Sequence, residues 1–350
     1  MNAKKGGTVF SILIVGIFAC MLSLGSVRFQ VLRLTNACLL GRETSAHCQS
    51  WQDVSSQSIR SIYDYRILAV GFNEAMCQVW HRLTGGDVLT ALKLSVFLLR
   101  TLVLFTTFYV LIAFGVPRGS ALCGILFVQY SINASFFNEG LNHYEPMFLL
   151  LFLWFLLLSL KGAWTWLPLV TVVASLVKET AVLLPILHMV IHWRNENVIS
   201  IRQQVRINGE IVATSTVMVV LSLATYCLLR WGWADRGINT MVDQARWYGW
   251  GLEALRHNLT TPAVFTNYLT TYHLFLLLPF VLWNKQSPLH RRLVLWFCPL
   301  YILPHLLTAR VEESRLFLPL LIVVLPGSIM SLLRLISHGR HERFGLGVQD

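Results

Sequence analysis

Charge is scarce in this sequence. Asp, Glu, Lys and Arg make up only 13% of its 350 residues, against 55% hydrophobic residues and a mean hydropathy of +0.60. A soluble domain clothes its core with about a quarter charged residues, so lipid is the solvent for most of this chain. Also missing is any polar stretch long enough to fold alone, which points to one membrane domain over residues 1–350. The seven cysteines lack metal-type spacing. Cys20, Cys123, Cys227 and Cys298 lie in or near apolar runs, where a buried thiol is the default. Cys38 and Cys48 sit in a polar segment, either paired in an oxidising compartment or free. HExxH, a Gly-rich phosphate loop, GxSxG and Asp-x-Asp are all absent. No metal site or cofactor is expected, and no internal repeat, heptad run or low-complexity segment appears.

What is present is a series of apolar runs with charge at their ends. The formal net charge of +11 suits a positive-inside membrane protein, because the basic residues cluster in short loops rather than along a groove for nucleic acid. Lys4 and Lys5 place the N-terminus in the cytoplasm, ahead of a first span from Thr8 to about Gly25. A polar segment, Arg28 to Leu89, follows outside, with an interfacial helix around Ile67 to Leu83. Later spans are expected over Ala91–Val116, Ala121–Phe137 and Met147–Lys161. Two short spans flank Lys178-Glu179, and Arg194–Glu210 lies along the inner surface. A seventh span, Ile211–Leu229, leads to a second outer loop, Trp231 to Thr270. Three more spans bring the count to ten, with a cytoplasmic tail from Ser337. The fold class is all-α, and on this topology only four of the 17 acids (Glu196, Glu210, Glu342 and Asp350) lie inside.

The stretch TVVASLVKETAVLLP, Thr171 to Pro185, organises the rest. It sets Lys178 and Glu179 inside an apolar run from Ala163 to Trp193. Each ionised group costs roughly 2.5–3.5 kcal/mol at the centre of a membrane helix on insertion scales. The runs on either side are too short to cross a bilayer that needs about 17–25 residues. A hairpin with the charged pair at its turn, facing a cavity, satisfies both facts; a self-neutralising ion pair at a loop is the plainer alternative.

Three further outer elements bring ionisable groups to the same boundary. SIYDYRILAV carries Asp64 and Arg66, FNEGLNHYEPMF carries Glu139, His143, Tyr144 and Glu145, and TARVEESRLFLP carries Arg310, Glu312, Glu313 and Arg315. Carboxylates suit a reaction in which an attacking hydroxyl loses its proton; arginines and lysines suit a phosphate-bearing ligand. Lys93 and Arg100, seven apart, share one helix face. Arg100 lies on the order of 10 Å below Lys93 and can partner a phosphate or an outer carboxylate, or else snorkel or pair structurally. Trp231, Trp233, Trp247 and Trp250 form either an interfacial belt or a platform for sugar rings. Asn133-Ala-Ser135 and Asn258-Leu-Thr260 match the glycosylation sequon, a pattern common by chance.

SLVKETAVLLP resembles the "L-x-K-E-t-x-x-l-l-P" segment of the polytopic C-type glycosyltransferases (the GT-C superfamily). LNHYEPMFLLLFLWFLLLSLKGAW resembles their outer loop with its acid, its Pro and the helix that follows. EESRLFLPLLIVVLPG is similar to their "E-x-R-Y-l-x-P" segment, and the three stretches occur in the family's order. The resemblance implies transfer of a sugar from a polyprenyl-phosphate carrier to a glycan, lipid or protein acceptor on the extracytoplasmic face. It puts the family's catalytic acid on Asp64, with Glu145 orienting the acceptor or serving, like Glu139, as the alternative base. Lys178, Arg310 and Arg315 then bind the donor phosphate, supported by Arg66 and Arg100, with Glu179, Glu312, Glu313, His143 and Tyr144 around them. The expected setting is a bacterial inner membrane, or the endoplasmic reticulum in a eukaryote. A polysaccharide polymerase or ligase, and a transporter or flippase of lipid-linked sugars, remain the alternatives.

Overall fold

The structure is a computed structural model that describes residues 12–28, 67–86, 88–135, 144–193, 201–234, 251–308 and 314–343. Every regular element among them is helical, as the sequence led us to expect. In chain order the main helices are α1 (Ile12–Arg28), α2 (Ile67–Thr84), α3 (Val88–Ala113), α4 (Arg118–Ser135), α5 (Tyr144–Leu160), α6 (Leu167–Ser175), α7 (Leu184–His192) and α8 (Ile201–Ala234). They continue with α9 (Leu252–Thr260), α10 (Pro262–Tyr272), α11 (Cys298–Thr308) and α12 (Leu318–Arg343).

Three stretches are long and apolar enough to cross a membrane: Thr90–Ala113, Asn208–Leu229 and Arg315–Ser337. Helices α1, α5, α6 and α7 are apolar but shorter. They gain stability by packing rather than length, since α5 presses on α3 and both α6 and α7 lie against α5 and α8. Phe148, Phe152 and Phe155 of α5 are buried in that contact. Gly124 of α4 is small for a reason. A Cβ there would come within 2.6 Å of Leu111 on α3 and 3.0 Å of Ile329 on α12, so the missing side chain lets three helices close together.

One expectation is corrected. Arg194–Glu210 was to lie along the membrane surface, yet from Ile201 onward it is the first part of α8, a single helix of 34 residues. No proline falls between Ile201 and Ala234, and the two glycines, Gly209 and Gly232, cost only about 1 kcal/mol each relative to Ala. At 1.5 Å per residue α8 is about 51 Å long, so its first turns extend past a 30 Å hydrocarbon layer.

The Lys178 stretch does form a hairpin of two short helices. Pro168 and Pro185 each occupy the first turn of their helix, where a missing N–H is harmless. Between them Lys178 is extended (φ −156°, ψ 137°), followed by a 3-10 turn at Glu179–Leu183. Lys178 thus stands at the bend between the two helices, where its ammonium bonds Glu145 of α5. Helix α5 closes on Gly162 at φ 72°. There Gly162 N donates to Ser159 O and Ala163 N donates to Leu158 O, a Schellman closure that only glycine enters without strain.

Candidate functional site

Helix α5 begins with Glu145 in its first turn, where the positive end of the helix dipole favours a carboxylate. The Lys178 ammonium donates to both oxygens of that carboxylate at 2.6 Å. Arg315, from the 3-10 turn Ser314–Phe317 that leads into α12, brings its Nε to 4.0 Å from Glu145 Oε1. Lys178 also lies 5.5 Å from the Phe148 ring centroid, one turn along α5. All three charged residues are 4–6% exposed. Three stretches far apart in sequence thus meet at one buried point.

Aromatic residues from α10 and α11 enclose this point. Tyr272 and Tyr301 are fully buried and lie within electrostatic reach of Glu145. Tyr301 Oη donates to Leu316 O at 2.9 Å, fixing the turn that carries Arg315. Tyr272 ends α10, and the next residue, His273, sits at φ 48°, a region that costs a non-glycine residue about 1–3 kcal/mol. Helix α4 holds the strained corner: Tyr130 Oη donates to Thr270 O, Ser131 Oγ donates to Thr271 O, and the Tyr130 ring stacks on His273. His305, one turn beyond Tyr301, is buried too.

Of the expected site residues, Glu145, Lys178 and Arg315 come together here. Glu179 follows Lys178 at the turn. Arg100 belongs to another polar network: fully buried, its Nη1 donates to Ser26 Oγ of α1, which in turn donates to Asn133 of α4. That link ties α1 into the bundle. Tyr144 is the first residue of α5, and Trp231 and Trp233 fall in the last turn of α8. Asp64, Arg66, Glu139, His143, Trp247, Trp250, Arg310, Glu312 and Glu313 lie outside the described residues, as do Cys38 and Cys48. Both sequons lie in helices with their amides engaged, Asn133 by Ser26 and Gln129, Asn258 by Leu306 O. No cluster of three or more metal-ligating side chains occurs among the described residues.

Leu68, at the start of α2, donates its N–H to Leu176 O at 3.3 Å. The head of α2 is therefore pinned two residues before Lys178. Tyr272, Tyr301 and His305 were missed from sequence. Their only signal is a polar tip inside an apolar run, which ordinary core residues share.

No protein-family model matches the chain, and neither a curated protein nor a solved structure shows significant similarity to it.

Proposed function

We propose that this chain is a multi-pass membrane glycosyltransferase that moves a sugar from a polyprenyl-phosphate carrier to an acceptor hydroxyl, with its charged end on the extracytoplasmic face. The observation that carries the reading is the meeting of Glu145, Lys178 and Arg315. Buried ions cost several kcal/mol each, and an apolar trio of similar volume is often as stable. Ionisable groups kept inside a membrane bundle are therefore functional by default. Lys178 and Arg315 are the cations that would take the donor phosphate and neutralise it as it leaves. Glu145, with both oxygens on Lys178, holds the ammonium in place for that role.

Asp64 is the group for the acceptor proton. It lies outside the described residues, four positions before Leu68, whose N–H donates to Leu176 O. A single displacement then inverts the anomeric carbon. The acceptor oxygen bonds to it, the carbon–oxygen bond to phosphate breaks with its electron pair, and the proton goes to the carboxylate. Ten spans with both termini cytoplasmic fit this arrangement, and the lipid chain would lie between apolar helices. Purified protein in lipid nanodiscs, given a labelled polyprenyl-phosphate sugar and a glycan extract, should transfer label. Asp64→Asn should slow transfer about 10²- to 10⁴-fold and leave donor binding unchanged. Wild-type protein that carries the donor across the bilayer without cleaving it would make this a flippase instead.

A further inference from the structure

His305 has one ring nitrogen engaged and the other without a partner among the described residues. Nδ1 lies 2.7 Å from Tyr301 O. A carbonyl can only accept, so Nδ1 carries the proton and the neutral ring presents a lone pair at Nε2. Nε2 is buried and has no hydrogen-bond partner among the described residues. The ring's neighbours on either side are aromatic rings. It stacks on Tyr301 (centroids 4.6 Å apart, planes at 22°), touches Phe317 at 5.6 Å, and is 5% exposed. Phe317 belongs to the same 3-10 turn as Arg315, which places the ring beside the charged end of the bundle. Buried acceptors are nearly always satisfied, and this one is left without a partner beside the turn that carries Arg315.

We infer that His305 Nε2 accepts a hydrogen bond from the sugar of the lipid-linked donor, at the substituent on C2. The inference rests on the reading of Lys178 and Arg315 as the phosphate site. The partner must be a neutral donor, because Lys178 and Arg315 repel a metal ion and a carboxylate or phosphate oxygen cannot donate. The prenyl chain has no such group. On the sugar, C2 is the carbon beside the one that carries the phosphate, so its hydroxyl, or the N–H of an acetamido group, is the nearest donor to the cations. The site therefore takes hexoses or 2-acetamido hexoses and discriminates against 2-deoxy sugars. His305 is a specificity residue and moves no proton.

The test measures binding of polyprenyl phosphate and of its glucosyl, N-acetylglucosaminyl and 2-deoxyglucosyl derivatives to the full chain in nanodiscs. At least one of the first two sugars should bind, with the 2-deoxy derivative about 5- to 100-fold weaker. In His305→Asn the amide keeps the bond to Tyr301 O but offers nothing at the Nε2 position, so the preference should vanish. His305→Gln, whose side chain reaches that position with an oxygen, should recover part of it. Equal affinity for the glucosyl and 2-deoxyglucosyl lipids in the wild type, or an undiminished preference in His305→Asn, overturns the inference while leaving the phosphate site standing. Failure of the wild type to bind even polyprenyl phosphate removes the phosphate site, and the inference with it.

Discussion

Helix α5 is fastened to the hairpin at both ends, and the two fastenings differ in kind. At Glu145 the tie is ionic, with Lys178 on both carboxylate oxygens and Arg315 alongside. At Ser159 it is neutral: Ser159 Oγ lies 3.0 Å from His188 Nδ1 and 3.1 Å from His192 Nε2, with Trp164 packed on both rings. Either would hold the hairpin against α5. The neutral tie does so with groups that are cheap to bury once hydrogen-bonded. The ionic tie does it with groups whose desolvation can exceed their mutual attraction. An end that keeps the costlier solution points to a ligand rather than to packing, and three variants separate the two.

The largest effect is expected at Lys178. Lys178→Met strips the ammonium from a carboxylate that is 5% exposed, and losing one partner of a buried pair costs about 3–5 kcal/mol. The double variant Glu145→Leu/Lys178→Met removes the pair but takes the carboxylate from Arg315 as well, so thermal unfolding should recover only part of that stability. Affinity for polyprenyl phosphate should still fall about ten- to a hundredfold in the double variant, because a charge-assisted bond is worth about 1.5–3 kcal/mol. Partly restored stability with unchanged affinity would reduce the ionic end to another fastening.

A smaller effect is expected from acid beyond the neutral end, where the Pro288–Arg292 turn packs against α7. His290 there lies on Phe114 and meets Ser287 Oγ through Nδ1 at 2.7 Å. Burial, with Arg334 adding repulsion, pushes its pKa down from 6.5 to about 4. The unfolded chain therefore takes up a proton that the fold refuses. The stability due to neutral His290 is complete above pH 6.5 and is lost as pH falls toward 4, at up to about 1.4 kcal/mol per unit. Unfolding followed from pH 7.5 to 4.5 should show a shallower loss in His290→Gln than in the wild type. Parallel curves would mean that this histidine does not contribute to acid sensitivity.

The contrast between the ends was half legible in the sequence. Lys178, Glu145 and Arg315 stand out because a charge in an apolar run has few explanations, and the hairpin follows from two runs too short to span. The pairing was not legible. Lys178 and Glu179 are neighbours on paper, but the Lys178 ammonium bonds a carboxylate 33 positions away. The neutral end gave no warning, since one serine and two histidines in apolar helices look like core. For Arg100 the sequence left a phosphate, an outer carboxylate and a structural pairing all open; its bond to Ser26 depends on how α1 packs, which no local pattern encodes. The long α8 was divided in two because polar residues at its start mimic a surface segment, although no breaker separates them.

The smallest effect is expected at Ser159, and it completes the separation. His192 Nε2 also lies 3.0 Å from Ser159 O, and a carbonyl can only accept, so that nitrogen carries its proton. Ser159 Oγ–H is then left to donate to His188 Nδ1. Ser159→Ala removes the donor from a buried acceptor, which costs about 1–3 kcal/mol. Ser159 lies 14 residues beyond Glu145 on one helix, about 21 Å along its axis, so the charged end should not register the change. Thermal unfolding should therefore fall while affinity for polyprenyl phosphate stays within twofold, the reverse of the Glu145→Leu/Lys178→Met pattern. A matching loss of affinity in Ser159→Ala would show that the hairpin transmits strain between its ends, and the division into a structural end and a binding end would be lost.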